Sequence, residues 1–358
     1  MSTLAERIPD IPGILSASEL VATVDHLAAL QLSNGMIPWF GGGHCDPWNH
    51  VETAMALSID GRDAEVEAAY QWLAETQLGD GSWFNYYRAE GVKDQRIDTN
   101  VCAYVAVGLW HYSVLRGSES LLIKHRAMLE QAMNFVVAHQ RSDGTITWSR
   151  DASGRSEAYA LLTGSSSILL SLRCAVAAFE AMGETRPDWE LAAGRLAHAI
   201  AHHPGAFAPK REFAMDWYYP VLSGALDTEA GNSRIDRYWD EFVMDGRGVR
   251  CVSTEPWVTA AETAELVITL ESLGRHEQAL SLFASAQAHR QSDGSYLTGL
   301  VYPDVVSFPH RETSSYTAAA IVLAADALSH TTQASGVLGG AQLAGVVDVP
   351  SPPCARRH

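Results

Sequence analysis

Cysteine is scarce and unpaired in this chain. Its five cysteines, Cys45, Cys102, Cys174, Cys251 and Cys354, are scattered with no Cys-x-x-Cys spacing, which leaves neither a disulfide framework nor a structural zinc site to expect. Basic residues are also few: 25 Lys and Arg face 42 Asp and Glu, for a formal net charge of −17. That balance argues against a nucleic-acid backbone or an anionic membrane surface as the main partner. No apolar run approaches the roughly 20 residues that cross a bilayer, so no integral membrane segment is expected. The stretch Met1-Ser2-Thr3-Leu4-Ala5-Glu6-Arg7 has neither a basic patch nor an apolar signal core, and a cytoplasmic protein is the expectation.

What the chain does have is a recurring turn. It reads Gln31-Leu32-Ser33-Asn34-Gly35 before Trp39, Gln77-Leu78-Gly79-Asp80-Gly81-Ser82-Trp83, and Gln140-Arg141-Ser142-Asp143-Gly144 before Trp148; Gln291-Ser292-Asp293-Gly294-Ser295-Tyr296 is a looser copy. Each follows one apolar helical stretch and precedes another, so the Asn-Gly or Asp-Gly pair is a helix-to-helix turn with Gly at positive φ. The spacing is that of a helical-hairpin repeat.

About twelve helices alternate along the chain. Those starting near residues 46, 98, 161, 216, 257 and 312 are the more apolar and carry small residues such as Ala54, Ala103, Ala106, Ala177 and Ala264. A helix apolar all round is buried, and an amphipathic partner covers it from outside. Two concentric rings satisfy both, so the fold expected is an all-α (α/α)6 toroid of six helical hairpins, with no sheet beyond a short hairpin. Its bounds are 18–330, after a poorly ordered lead-in at 1–17 and before a disordered tail at 331–358 rich in Ser, Gly, Ala and Pro.

The Gln-x-x-x-Gly-x-Trp turns between paired helices resemble the repeat of the terpenoid cyclase and protein prenyltransferase superfamily, which includes squalene-hopene cyclases. The resemblance spans nearly all of 18–330 as a pattern. It implies a barrel whose central cavity handles polyprenyl or triterpenoid chains. The family's Asp-x-Asp-Asp and Asp-Asp-x-x-Asp motifs are absent, and Asp98, Cys102 and His310 do not match the spacing of its zinc ligands.

Aligning the inner helices on their starts brings out carboxylates at Glu52, Asp98, Asp216, Glu262 and Glu312. A ring of acids at one mouth suits a general acid or base, since crowding and burial raise at least one pKa. The same position also caps a helix and favours its dipole. With Asp46 and His44 from the glycine-rich run Gly41-Gly42-Gly43, the candidate catalytic residues are His44, Asp46, Asp98, Asp216, Glu262 and Glu312. Candidate substrate contacts are Trp48, Asn49, Glu52, Asn100, Ser165, Trp217, Tyr218, Trp257 and Tyr316, whose aromatic faces can stabilise a cation or stack on a sugar. Ser165 lies in Thr163-Gly164-Ser165-Ser166-Ser167, a helix start open to a phosphate or simply to close packing.

The first functional reading is a prenyltransferase- or terpene-cyclase-like enzyme acting on an isoprenoid by carboxyl acid–base catalysis. The second is a carbohydrate-active (α/α)6 hydrolase or lyase with paired carboxylates. The third is a binding toroid without chemistry. No cofactor, metal or partner subunit is expected, the substrate is a small isoprenoid or glycan, and the oligomeric state is open. A deep apolar tunnel would favour the first reading and an open acidic groove the second.

Overall fold

In the computed structural model, which describes residues 8–347, Gln77 spans two hairpins. Its Nε2 donates to Gly81 O at 3.0 Å inside its own turn and to Met128 O at 2.9 Å on the next outer helix. Gln31 does the same to Gly35 and Glu65, and Gln140 to Gly144 and Ala192. The turn's Asp closes the loop by accepting from the backbone two residues on, as Asp80 does from Ser82 N at 3.1 Å. Gly81 holds φ +91°, and a Cβ there would lie 2.3 Å from Gln131 O. The repeat therefore records how outer helices stack on each other's turns. The fourth copy departs, because Gln291 bonds His289 O in its own turn.

The helices are α1 (Ala17–Leu30), α2 (Pro47–Ile59), α3 (Asp63–Thr76), α4 (Thr99–Ala103), α5 (Val105–Arg116), α6 (Ser120–Lys124), α7 (Arg126–Ala138), α8 (Leu162–Ala181), α9 (Pro187–His202), α10 (Ala214–Leu222), α11 (Thr228–Phe242), α12 (Ala260–Ser272), α13 (His276–Ala286) and α14 (Ser315–Ser329). Helices α4 and α5 are one inner helix interrupted at Tyr104. Packing runs α2 to α5, α5 to α8, α8 to α10, α10 to α12, α12 to α14, and α14 back to α2. That is a closed inner ring, and the fold is an (α/α)6 toroid.

Burial follows the pattern of each sequence. In α12 every residue from Ala260 to Leu270 is buried, whereas α13 buries only Ala279, Leu282, Phe283 and Ala286, one stripe at helical spacing. Each such Leu or Phe contributes about 1.5–3 kcal/mol by leaving water, which is what holds an outer helix on the ring. Among the described residues α8 alone is long and apolar enough to cross a bilayer, and 78% of its apolar window is buried inside the protein.

Three expectations need correction. A five-stranded antiparallel sheet stands on the rim. Its strands follow a β1–β2 hairpin (Tyr86–Arg88, Gly91–Asp94) and a β3–β4 pair (Ile97–Asp98, Ser149–Arg150). They are β5 (Val243–Met244), β6 (Gly248–Arg250), β7 (Trp257–Thr259), β8 (Gly299–Val301) and β9 (Val306–Ser307). It belongs to the loops leading into α12 and α14, so the ring is intact. Residues 1–7 of the expected lead-in lie outside the described residues, but 8–17 are ordered, with Ile11 and Leu15 buried and Ser16 capping α1 in a capping box with Glu19. Beyond α14 the chain to Val347 folds back as turns that bury Ala334, Val337 and Leu338; these apolar residues are too widely spaced to read as an element. The rest of the expected tail, 348–358, lies outside the described residues.

Candidate active site

The starts of the inner helices meet at one end of the ring. Asn49 Nδ2 donates to Ser315 Oγ at 3.1 Å, tying α2 to α14, and Thr163 N donates to Asp216 Oδ1 at 3.0 Å, tying α8 to α10. Asp46 caps α2 through Asn49 N at 2.8 Å and accepts from Trp39 Nε1 at 2.6 Å. Asp98 is built the same way, with Asn100 N at 2.8 Å and Trp148 Nε1 at 2.6 Å. Both aspartates therefore do what their helix-start position favours, yet burial pushes both carboxyls upward, Asp98 to about 6. Desolvation outweighs the donors there.

Beneath them lies a floor of acid and phenol. Glu265, 3% exposed on α12, accepts from Tyr218 OH, from Tyr219 OH at 2.7 Å and from Tyr316 OH at 2.9 Å. Glu52, 2% exposed on α2, accepts from Tyr104 OH at 2.5 Å. Burial and then the Glu52 charge raise Glu265 to about 8 against the pull of its phenol donors, and burial raises Glu52 to about 7. The native Glu265 carboxyl thus keeps its proton to about pH 8, while an unfolded one releases it near 4.5. Protonation favours the native state, so stability falls as pH climbs between those values. Glu265→Gln is expected to flatten that decline, read from melting temperatures across the same pH range; an unaltered slope would place the titration elsewhere.

Glu262, in the first turn of α12 and 8% exposed, stands apart. Among the described residues its hydrogen-bonding neighbour is the Cys251 thiol, and no N–H or O–H group donates to it. Its charge is nonetheless felt by Glu265, Tyr218 and Tyr316. Around this mouth Trp48 stacks on Tyr104 with centroids 4.6 Å apart and meets Tyr316 edge-on at 5.2 Å. His44 lies between Trp39 and Tyr86, and burial with the Lys93 and Arg88 charges lowers its pKa. Among the described residues four buried side-chain oxygens at these helix starts have no partner: Asn49 Oδ1, Asn100 Oδ1, Ser165 Oγ and Thr259 Oγ1. Buried polar atoms left open in this way suit a polar ligand.

Five expected site residues are placed otherwise. Glu312 precedes α14 by three residues and bonds Thr298 Oγ1 at 3.0 Å in the rim loop, because α14 begins only at Ser315. Asp216 turns to Thr163 and a side cavity rather than to the centre. Trp217 is buried against Phe242, with Nε1 on Arg234 O. Trp257 covers Gly299 on the sheet and bonds Phe308 O. Tyr218 lies in the floor, below the reach of a mouth contact. Sequence reading missed Glu265, Tyr104 and Tyr219. The signal was there, since a Glu between Ala264 and the apolar run Leu266-Val267-Ile268 must find buried donors. Among the described residues no cluster of three or more His, Cys, Asp or Glu could hold a metal ion.

No family model matches this chain. A curated protein of Mycolicibacterium hassiacum, the MMP endo-(1,4)-3-O-methyl-alpha-D-mannosidase, is 46% identical over 338 residues, covering 94% of this chain and 94% of its own. Among solved structures, a glycosidase in complex with glucose superposes with a TM-score of 0.69 over 88% of this chain and 97% of its own, at 13% identity. A D-mannose isomerase does so with a TM-score of 0.64 over 88% and 99%, at 11% identity. These two likenesses speak for the fold alone. The mannosidase relative overturns the terpenoid cyclase and prenyltransferase reading, its isoprenoid substrate and its transferase or isomerase chemistry. A floor of two carboxyls and four phenols is also not the apolar tunnel an isoprenoid would need.

Proposed function

The chain belongs to the family of the MMP endo-(1,4)-3-O-methyl-alpha-D-mannosidase, and on that premise we propose that it hydrolyses internal α-(1,4) bonds of a mannose polymer carrying 3-O-methyl groups. The observation that carries the mechanism is Glu262, a nearly buried carboxylate that no N–H or O–H group occupies, in a mouth where the other acids are each held by such donors. An uncommitted carboxylate is free to take a proton from water. The proton donor is Asp46, raised by burial and flanked by Trp39, Tyr86 and Trp48, whose faces suit a sugar ring with an apolar methyl ether.

In the proposed step water attacks the anomeric carbon and gives its proton to Glu262. The glycosidic C–O bond breaks, and Asp46 protonates the departing oxygen. Asn49, Asn100 and Ser165 offer open acceptors to the sugar hydroxyls. Helix α14 stands between α2 and α12 in the ring. With neighbouring axes about 8–10 Å apart, the two carboxyls approach from non-adjacent helices, which favours the wide separation that admits a water and inverts the anomeric centre. Proton NMR during cleavage of an α-(1,4)-linked 3-O-methylmannose oligomer should therefore show the β-anomer first. First appearance of the α-anomer would make Glu262 a nucleophile, and no release from any α-mannoside would sink the reading.

A further inference from the structure

Beside the helix starts that form the mouth is a cavity of about 290 Å³, between inner and outer helices. It lies where the start of α8 (Leu162) and the first turn of α10 (Asp216) meet the end of α11 (Tyr238, Glu241, Phe242). Thr163, next to Leu162, bonds Asp216 through both N and Oγ1, so one wall of the cavity is also part of the mouth's rim. The size is near the lower end for small-ligand pockets and well above that of a few waters.

Its lining divides as a sugar site does. Leu162 and Phe242 give an apolar surface, while Tyr238, Glu241, Arg211 and Arg234 give donors and acceptors. Arg234 is fixed in place, with Nε on Trp217 O and Nη2 on Asp216 O, each at 2.7 Å. It makes no ion pair with a carboxylate among the described residues, and its Nη1 is left without a protein partner. An immobilised guanidinium with one open nitrogen, sharing the cavity with the Glu241 carboxylate about two turns further along α11, suits a sugar's hydroxyls.

Resting on the glycosidase reading, we propose that this cavity is a distal subsite that holds a sugar unit of the same polymer away from the cleaved bond. A chain cut internally must continue past the mouth on at least one side, and the α8–α10 rim is where a cavity receives it.

The test compares a long α-(1,4)-linked 3-O-methylmannose oligomer with a short aryl α-mannoside. The double variant Tyr238→Ala, Glu241→Ala removes exposed or half-exposed groups of an outer helix. It should raise KM for the long oligomer about tenfold with kcat unchanged, leave the aryl mannoside untouched, and shift the positions of cleavage. Glu241→Trp, which fills the cavity instead of emptying it, should act likewise and guards against a folding defect in the first variant. Equal effects on both substrates, or none, would overturn the subsite. If the unaltered protein cleaves neither compound, the glycosidase reading fails. Calorimetry with the long oligomer then decides the subsite: binding weakened by the variants supports it, and absent or unchanged binding rejects it.

Discussion

Glu262→Gln should lower kcat on the oligomer by about 10²–10⁴-fold, the range for loss of a general base, with melting shifted by less than about 3 °C. The two expectations come from opposite sides of the same position. In the first turn of α12 the charge favours the helix dipole by about 0.3–1 kcal/mol. The same charge repels Glu265, whose pKa it raises, so glutamine relieves one term while losing the other. Hence stability barely moves. The water, by contrast, loses the one carboxylate at the mouth that, among the described residues, no N–H or O–H group occupies. Initial rates and thermal melts on the same preparation check both. A loss of melting temperature in step with the loss of rate would mark Glu262 as structural.

Asp46→Asn should produce a loss of about 10²–10⁴-fold on a sugar leaving group but little on a dinitrophenyl or fluoride leaving group, which departs without protonation. Asparagine caps a helix nearly as well as aspartate, and its one amide oxygen keeps the bond from Asn49 N, while the bond from Trp39 Nε1 to the second oxygen is lost at about 1–3 kcal/mol. The fold should therefore survive. A general acid works while protonated, and Asp46 is raised by burial, so kcat/KM should fall as pH rises through its pKa. In the variant that alkaline limb should vanish. Asp98, raised to about 6 in a matching cap, is the control: were Asp98→Asn to erase the limb and Asp46→Asn to leave it, the donor would be Asp98.

The fold was legible because its signals are local. Gln31, Gln77 and Gln140 with their glycines mark turns whose partners lie one helix on, and α12 and α14 are apolar enough to read as buried along all but their last residues. The same residues misled the functional reading. Gln77 bonds Gly81 and Met128 in the service of helix stacking, so the motif reports an architecture that very different chemistries share. Asp46, Asp98 and Glu262 were chosen as candidates from their helix starts, and those starts do meet at one mouth. Glu265, Tyr104 and Tyr219 were not, because which buried donor meets which buried carboxylate depends on packing between helices far apart in the chain. The rim sheet escaped for another reason: strands of two or three residues are too short to show an alternating pattern.

Ring closure has a consequence for how the chain comes into being. The last hairpin of the toroid is assembled from opposite ends of the sequence, with α1 and α2 both resting on α14. While the protein is being synthesised, the first two helices emerge some 250 residues before their partner, at about 5–20 residues per second. For that interval of tens of seconds the faces of α1 and α2 that α14 will cover stay open to water or to other chains. The mouth cannot form earlier, because Asn49 waits for Ser315 and Trp48 for Tyr316. An unfinished chain is therefore inactive by topology, and a nick in a rim loop after closure would leave both halves clasped.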